Sequence, residues 1–284
     1  MSISGAVEPI SLSREELVKI QYAQPSLVAD YAGSFEGWGP TARYHRSRLH
    51  AIDEVLRGCP GGTLLDVGCG PGIMVRHVLD TRPGDFRITA CDQSAAMIEA
   101  VAQRVRPAEG VRLSVGDVVD MPFPDGTFDV ALAMGVLEYT DAAGALRELA
   151  RVVKPGGLVV ATMLNPRSPY RLFEWCVFWP ARRLLGGIER VFGVPATRRH
   201  GARRTGIVAL GLRRFRHFMW RAGFQPEDAL FYDVTPLVPP VDRVVRRWAR
   251  GWREHPEKTV TRRTGKRWLG TGFLIAARRV ADPV

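Results

Sequence analysis

The sequence predicts a doubly wound α/β fold, a mostly parallel sheet of seven strands with helices on both faces. Three observations carry this. Between residues 63 and 163, short apolar runs alternate with helical stretches, the pattern of strands joined by helical crossovers. The first run ends in a glycine-rich turn, Asp66-Val-Gly-Cys-Gly-Pro-Gly72, that opens a helix. The last run, 272–277, is apolar on both sides, as a strand covered on both faces must be.

A first helix is expected from Ser13, where Glu16 three residues on completes a capping box and Leu17, Val18 and Ile20 follow. A glycine-rich stretch at 33–40 separates it from a second helix at about 43–56, and together they form an N-terminal helical lid, 1–58. The core, 59–165, takes strands at 63–67, 87–91, 111–115, 128–134 and 158–163. Its helices fall at 73–79, 95–105 and 142–153, the last stopped by Lys154-Pro-Gly-Gly157. An aromatic and basic insertion, 166–211, follows the fifth strand. The remainder, 212–284, returns to the sheet with a helix at 212–221, a strand at about 229–234 and a second basic insertion at about 236–267.

Composition narrows the class. The 284 residues are 46% hydrophobic and 24% charged, as in ordinary globular chains. No apolar run of about 18 residues is present, and the N-terminus does not read as a signal peptide. Cys59, Cys69, Cys91 and Cys176 form no Cys-x-x-Cys pair and no metal-ligand spacing with His, so a reduced cytoplasmic setting is expected, with no metal site. The net charge of +11 is uneven. Residues 165–267 hold 23 Lys and Arg against 8 Asp and Glu, and the rest 17 against 21. Such a surface attracts nucleic acid, anionic membrane or anionic substrate, or it is merely a set of solvated helix faces.

The chemistry concentrates at the glycine-rich turn. Gly68, Gly70 and Gly72 lie between a strand and a helix, where glycine permits a tight turn and close approach of a ligand. Asp92 stands 20 residues after Gly72 at a strand end, the place of a carboxylate that accepts from a ribose. The spacing is G-x-G-x-G, not the G-x-G-x-x-G that seats a pyrophosphate. Further pieces follow: CDQSAAMI at 91–98, GDVVDMPFPDGTFDVALA at 116–133, VLEYTD at 136–141 and ELARVVKPGGLVVAT at 148–162.

In these pieces, residues 64–164 resemble the core of class I S-adenosylmethionine (SAM)-dependent methyltransferases, whose fold is Rossmann-like. The resemblance implies SAM as cofactor and S-adenosylhomocysteine as product. It implies that Asp66 and the loop of Gly68, Gly70 and Gly72 hold the amino-acid end of SAM. Asp92 would bind the ribose, Gln93 would lie beside the adenine, and Asp117 with the Val118 backbone would meet the adenine amino group. Met134 would lie under the sulfonium. Arg48 matches an arginine of ubiquinone-type O-methyltransferases and would pair with the SAM carboxylate. Each residue also has a plainer reading: local capping for Asp66, a turn for Asp117, core packing for Met134, a solvated helix position for Arg48. Cys69 reads as a space-filler, with no His or Lys beside it in sequence to lower its pKa.

Transfer to oxygen or nitrogen can use a base. Tyr44, His45, Glu138, Tyr139, His200 and His217 are candidates, with His45 and Tyr139 placed first; transfer without a dedicated base is the alternative. The resemblance implies that the insertion after the fifth strand shapes the acceptor pocket. Tyr44, Tyr170, Phe173 and Trp175 are therefore the expected substrate contacts. The stretch 171–192 combines aromatic and aliphatic residues with Arg182, Arg183 and Arg190. It caps an apolar pocket, packs on the sheet, or lies peripherally on a membrane. The expected reaction is O-methylation of a lipophilic small molecule, such as a secondary metabolite, quinone-like compound or lipid. A nucleic-acid substrate is disfavoured because Met134-Gly-Val-Leu-Glu-Tyr139 lacks the Asn/Asp-Pro-Pro-aromatic motif of amino-methylating enzymes. A non-catalytic SAM-binding protein is the other alternative.

Overall fold

A computed structural model describes residues 28, 32–35, 37, 39–106, 109–195, 207–236, 238, 251 and 254–280. The expected helix from Ser13, His200, and positions 239–250 of the second basic insertion lie outside these residues.

The strands form one sheet. β1 (Gly62–Val67), β2 (Phe86–Asp92), β3 (Arg112–Val115), β4 (Phe128–Ala133) and β5 (Val153–Leu164) are parallel. β8 (Gly270–Arg279) is antiparallel to β5 and carries β6 (Phe224–Pro226) and β7 (Leu230–Val234) on its far edge. The order is β3-β2-β1-β4-β5-β8-β6, with β7 also on β8. β6 pairs with residues 277–279 of β8 and β7 with residues 270–274, so the two lie end to end along one edge. The seven expected strands thus occupy the seven sheet positions. β6 was not expected, because three residues ending in Pro226 are too short to show a period of two.

Helices cover both faces. They are α1 (Pro40–Leu56), α2 (Ile73–Thr81), α3 (Ala95–Arg104), α4 (Ala142–Val152), α5 (Pro169–Phe173), α6 (Trp179–Val191) and α7 (Leu212–Arg221). A π-helical turn, Glu174–Phe178, joins α5 to α6. Successive strand residues point to opposite faces, so a parallel strand must be apolar at every position. Leu64 joins a core with Ile52 and Leu56 of α1 and Val75 and Val78 of α2. Its neighbour Leu65 joins the opposite core with Leu146 and Leu149 of α4 and Phe215 and Met219 of α7. This explains why β1, β4 and β5 read as continuous apolar runs.

The buried side of α1 changes character along its length. Ala51, Ile52 and Leu56 pack on the sheet, whereas Arg43, His45, Ser47 and Arg48 are buried polar residues toward the other end. The polar half is held by β7. Arg43 Nε donates to Asp233 Oδ1 at 2.6 Å, with both side chains only 3% exposed. Ser47 Oγ accepts from the Asp233 backbone N–H at 2.7 Å and from Thr259 Oγ1 at 2.6 Å. The Tyr44 and Tyr232 hydroxyls lie 3.0 Å apart.

Candidate active site

The chain leaves β1 outward through β2 and β3, then returns to β4 on the other side. Ligands of open α/β sheets bind outside the carboxyl ends of the strands at such a reversal. A cavity of about 370 Å³ lies there, lined by residues of α1, of the loops after β1, β2, β3 and β4, and of the first turn of α5.

The loop after β1 forms one wall. Gly68, Gly70 and Gly72 have φ of 63°, 53° and 79°, the left-handed region that favours glycine. A Cβ at Gly68 would collide with the Val136 side chain. Gly68 and Gly70 line the cavity; Gly72 instead caps α2 and faces Val101. Asp92 ties this loop to the end of β2: its two carboxylate oxygens accept from Gly70 N and Ser94 N, each at 2.9 Å. Each oxygen retains a lone pair for a further donor. Gln93, Asp117, Val118 and Met134 line the same cavity.

Asp66 lies behind this wall, 1% exposed, and does not line the cavity. Its Oδ2 is buried without a hydrogen-bond partner. Burial pushes its pKa up to about 7, against the opposing Arg48 charge, with Asp92 adding a further rise. Cys69 is held well above the ordinary thiol range by burial and by Asp66 and Asp92, so its thiol stays protonated.

α1 supplies the opposite wall. Arg48 Nη2 lies 3.2 Å from His45 Nδ1. A guanidinium only donates, so Nδ1 accepts and the neutral ring carries its proton on Nε2. Burial, and then the Arg48 charge, push the His45 pKa down to about 2. The accepting nitrogen is therefore already engaged by Arg48. His45 stacks on Phe35, with ring centroids 3.7 Å apart. Tyr44 is held at about 12, chiefly by burial, so its hydroxyl keeps its proton at neutral pH.

Tyr139 and Tyr170 line the cavity, together with Tyr44. Phe173 and Trp175 do not. The cavity meets only the first turn of the helical run that begins at α5, and Trp175 is exposed. His217 is exposed beside Trp220 on α7. Sequence reasoning missed Arg43, Asp233, Leu164 and Thr271 as cavity residues. Only the apolar strand end at Leu164 had any local signal. Glu138, weighed as a base but placed behind His45, is buried and lines the cavity. Among the described residues no group of three or more His, Cys, Asp or Glu is placed to hold a metal ion.

Residues 65–161 match a family model described as a methyltransferase domain. Residues 65–161 of this chain form a methyltransferase domain. Two curated relatives match this region. One is a demethylmenaquinone methyltransferase of Bacillus licheniformis, 38% identical over 42% of this chain and 51% of the relative. The other is a ubiquinone/menaquinone biosynthesis C-methyltransferase, UbiE, of Geobacter sulfurreducens, 31% identical over 58% of this chain and 65% of the relative. The chain thus spans about half to two thirds of these relatives' lengths. The fold of the methyltransferase domain and its surroundings resembles a SAM-dependent methyltransferase of Thermotoga maritima. That likeness has a TM-score of 0.59 at 17% identity, covering 90% of this chain and 97% of the other.

The cavity of the methyltransferase domain fits the cofactor. A glycine cradle and a carboxylate at the end of β2 line it, and an orphaned buried carboxylate at the end of β1 lies behind the glycines, a set that suits an adenosyl amino acid.

Proposed function

We propose that the chain transfers a methyl group from SAM to a lipophilic small molecule of quinol type. One observation carries this reading: a single cavity joins the polar residues suited to SAM with a wall of Tyr44, Tyr139, Leu164 and Tyr170. The relatives' names support a quinone-like acceptor and methylation at carbon. Oxygen, the atom expected from the sequence, is the alternative that product analysis distinguishes. A deprotonated ring hydroxyl makes both itself and the adjacent ring carbon nucleophilic, so the same site chemistry serves either.

Bound SAM supplies a methyl group on a positively charged sulfur, open to in-line attack. The residues of this chain bind and orient. Asp92 accepts from the ribose, and Asp117 with the Val118 backbone takes the adenine edge. Gly68 and Gly70 let the backbone approach, and Asp66, buried behind that loop, sets a carboxylate charge against the ammonium. Arg48 lies on the α1 side for the carboxylate. Holding nucleophile and methyl in line supplies much of the barrier reduction. Glu138, not His45, is the proposed acceptor of the substrate proton.

Asp66 makes binding pH-dependent. With its pKa raised to about 7, it is protonated below that pH and cannot pair with an ammonium. Affinity for S-adenosylhomocysteine is expected to rise with pH through the region of about 7 and then level off. The slope below the pKa approaches about tenfold per pH unit. Calorimetric titration at several pH values checks this, and Asp66→Asn should flatten the profile. A profile unchanged by that substitution would remove Asp66 from the site.

The function is tested by incubating the purified chain with methyl-labelled SAM and cell extract, then partitioning the products. Label in the organic phase is expected, and its position is read by mass spectrometry. Label confined to nuclease-sensitive material would overturn the reading in favour of nucleic acid. Tight SAM binding without labelled product in any extract would favour a non-catalytic SAM-binding protein.

A further inference from the structure

The helical run from Pro169 to Val191 is turned inside out. A helix on a globular domain normally buries its apolar stripe. Here Gly186 is buried and Arg182 and Glu189 are half-buried on the inner side. Leu184, Ile188 and Val191 are 69%, 46% and 84% exposed, and Leu185 and Phe192 beside them are exposed as well. These positions recur every three to four residues, so they form one outward stripe. Phe178 and Trp175, nearer the start of the run, are exposed as well. Arg183 and Arg190 lie exposed at its flank.

A second feature begins where this helix begins. Arg167, two residues before Pro169, lines a cleft with Arg213 and Arg214 of α7 and with Arg267 and Trp268 before β8. None of these four guanidinium groups has a carboxylate partner among the described residues. Trp268 is 57% exposed. Four unneutralised arginines in one cleft suit phosphate, which a guanidinium fork binds in two places.

We propose that these surfaces dock on an anionic phospholipid bilayer, with the outward stripe of 184–192 in the headgroup–acyl boundary and the Arg167, Arg213, Arg214 and Arg267 cleft on lipid phosphates. An apolar face with Trp, Phe and Leu and a flank of Arg is the composition of helices that lie in a membrane interface. Tryptophan at a cleft rim suits the same boundary. A second copy of the chain covers the stripe less well. A two-fold pairing of α6 helices would set Arg183 and Arg190 near their own mates, without a countercharge for the cleft. No described helix is long and apolar enough to cross a membrane, so the docking is peripheral. The proposal does not rest on methyl transfer, since vesicle binding needs neither cofactor nor acceptor.

The test is co-sedimentation of the full chain with vesicles of phosphatidylcholine alone, or with about 30% phosphatidylglycerol. Partitioning is expected to be roughly tenfold or more stronger on the anionic vesicles, and to fall at high salt. Leu184→Glu/Ile188→Glu and, separately, Arg213→Glu/Arg214→Glu are each expected to lower it by roughly tenfold or more. Both pairs are surface changes, so melting temperature and S-adenosylhomocysteine binding should hold. If a paired variant loses its fold, Ile188→Ser alone and the salt series decide instead. Equal binding to both vesicles, or none, overturns the proposal. So does a concentration-dependent dimer in sedimentation velocity that Leu184→Glu/Ile188→Glu abolishes while vesicle binding persists.

Discussion

Asp92→Ala is expected to weaken binding of S-adenosylhomocysteine by well over tenfold. The carboxylate stands at the end of β2 and lines the cavity. Its oxygens already accept from Gly70 N and Ser94 N, which fixes the loop after β1 against the start of α3. Alanine removes three things together: the acceptor for the ribose hydroxyls, the partner of the Gly70 N–H and the partner of the Ser94 N–H. A ribose donor left without its acceptor costs about 1–3 kcal/mol against the ~1.4 kcal/mol of a tenfold change, and the loosened loop adds an ordering cost on binding. Asp92→Asn separates the parts. It keeps one acceptor oxygen and turns an N–H₂ toward a second donor, so an intermediate loss is expected. Isothermal titration gives the affinity, and a thermal melt shows whether the loop alone has failed. Unchanged affinity in Asp92→Ala would remove the cofactor from this cavity.

Asp233→Ala is expected to cause a large loss of stability. The carboxylate neutralises Arg43 at 2.6 Å in a place where both side chains are 3% exposed. Removing one member of a buried ion pair costs about 3–5 kcal/mol. The backbone adds to this. Asp233 has φ of 52°, a left-handed conformation that alanine adopts less readily than Asp or Asn. Asp233→Asn should therefore recover part of the loss through both backbone and hydrogen bond. Urea unfolding of the three proteins measures the differences, and a loss below about 1 kcal/mol in Asp233→Ala would show the pair to be dispensable. Arg43 lines the cavity from α1. A loosened α1 is therefore expected to raise the acceptor KM before it touches cofactor affinity, whose main contacts sit on the other wall.

Much of the site was legible because its parts are local. A glycine at 68 is required by a backbone turn and by Val136. Asp92 sits at a strand end that the apolar run 87–91 marks in advance. Arg48, Gln93, Asp117, Val118 and Met134 reach one cavity because the resemblance placed each on an element, and the elements formed where periodicity put them. His45 was a different matter. Its position on α1 was expected, but its chemistry depends on Arg48 one helical turn away and on burial under Phe35. Neither can be weighed until the ring's surroundings are known. Phe173 and Trp175 fell outside the cavity for a geometric reason: a helix that starts at a cavity leaves it after one turn.

The alternation of strands and helices, the glycine turn and the carboxylate beyond it follow from local order along the chain, because each rests on neighbours within about twenty residues. Tertiary structure alone decided which groups meet across the chain. Arg43 and Asp233 are 190 residues apart, and Tyr44 and Tyr232 are 188 apart. It alone split the edge beside β8 into β6 and β7, because that edge is defined by its partner and not by its own pattern. It also decided that the apolar stripe of α6 points outward. Periodicity shows that a helix has an apolar side, but the direction of that side depends on what the rest of the chain packs against it.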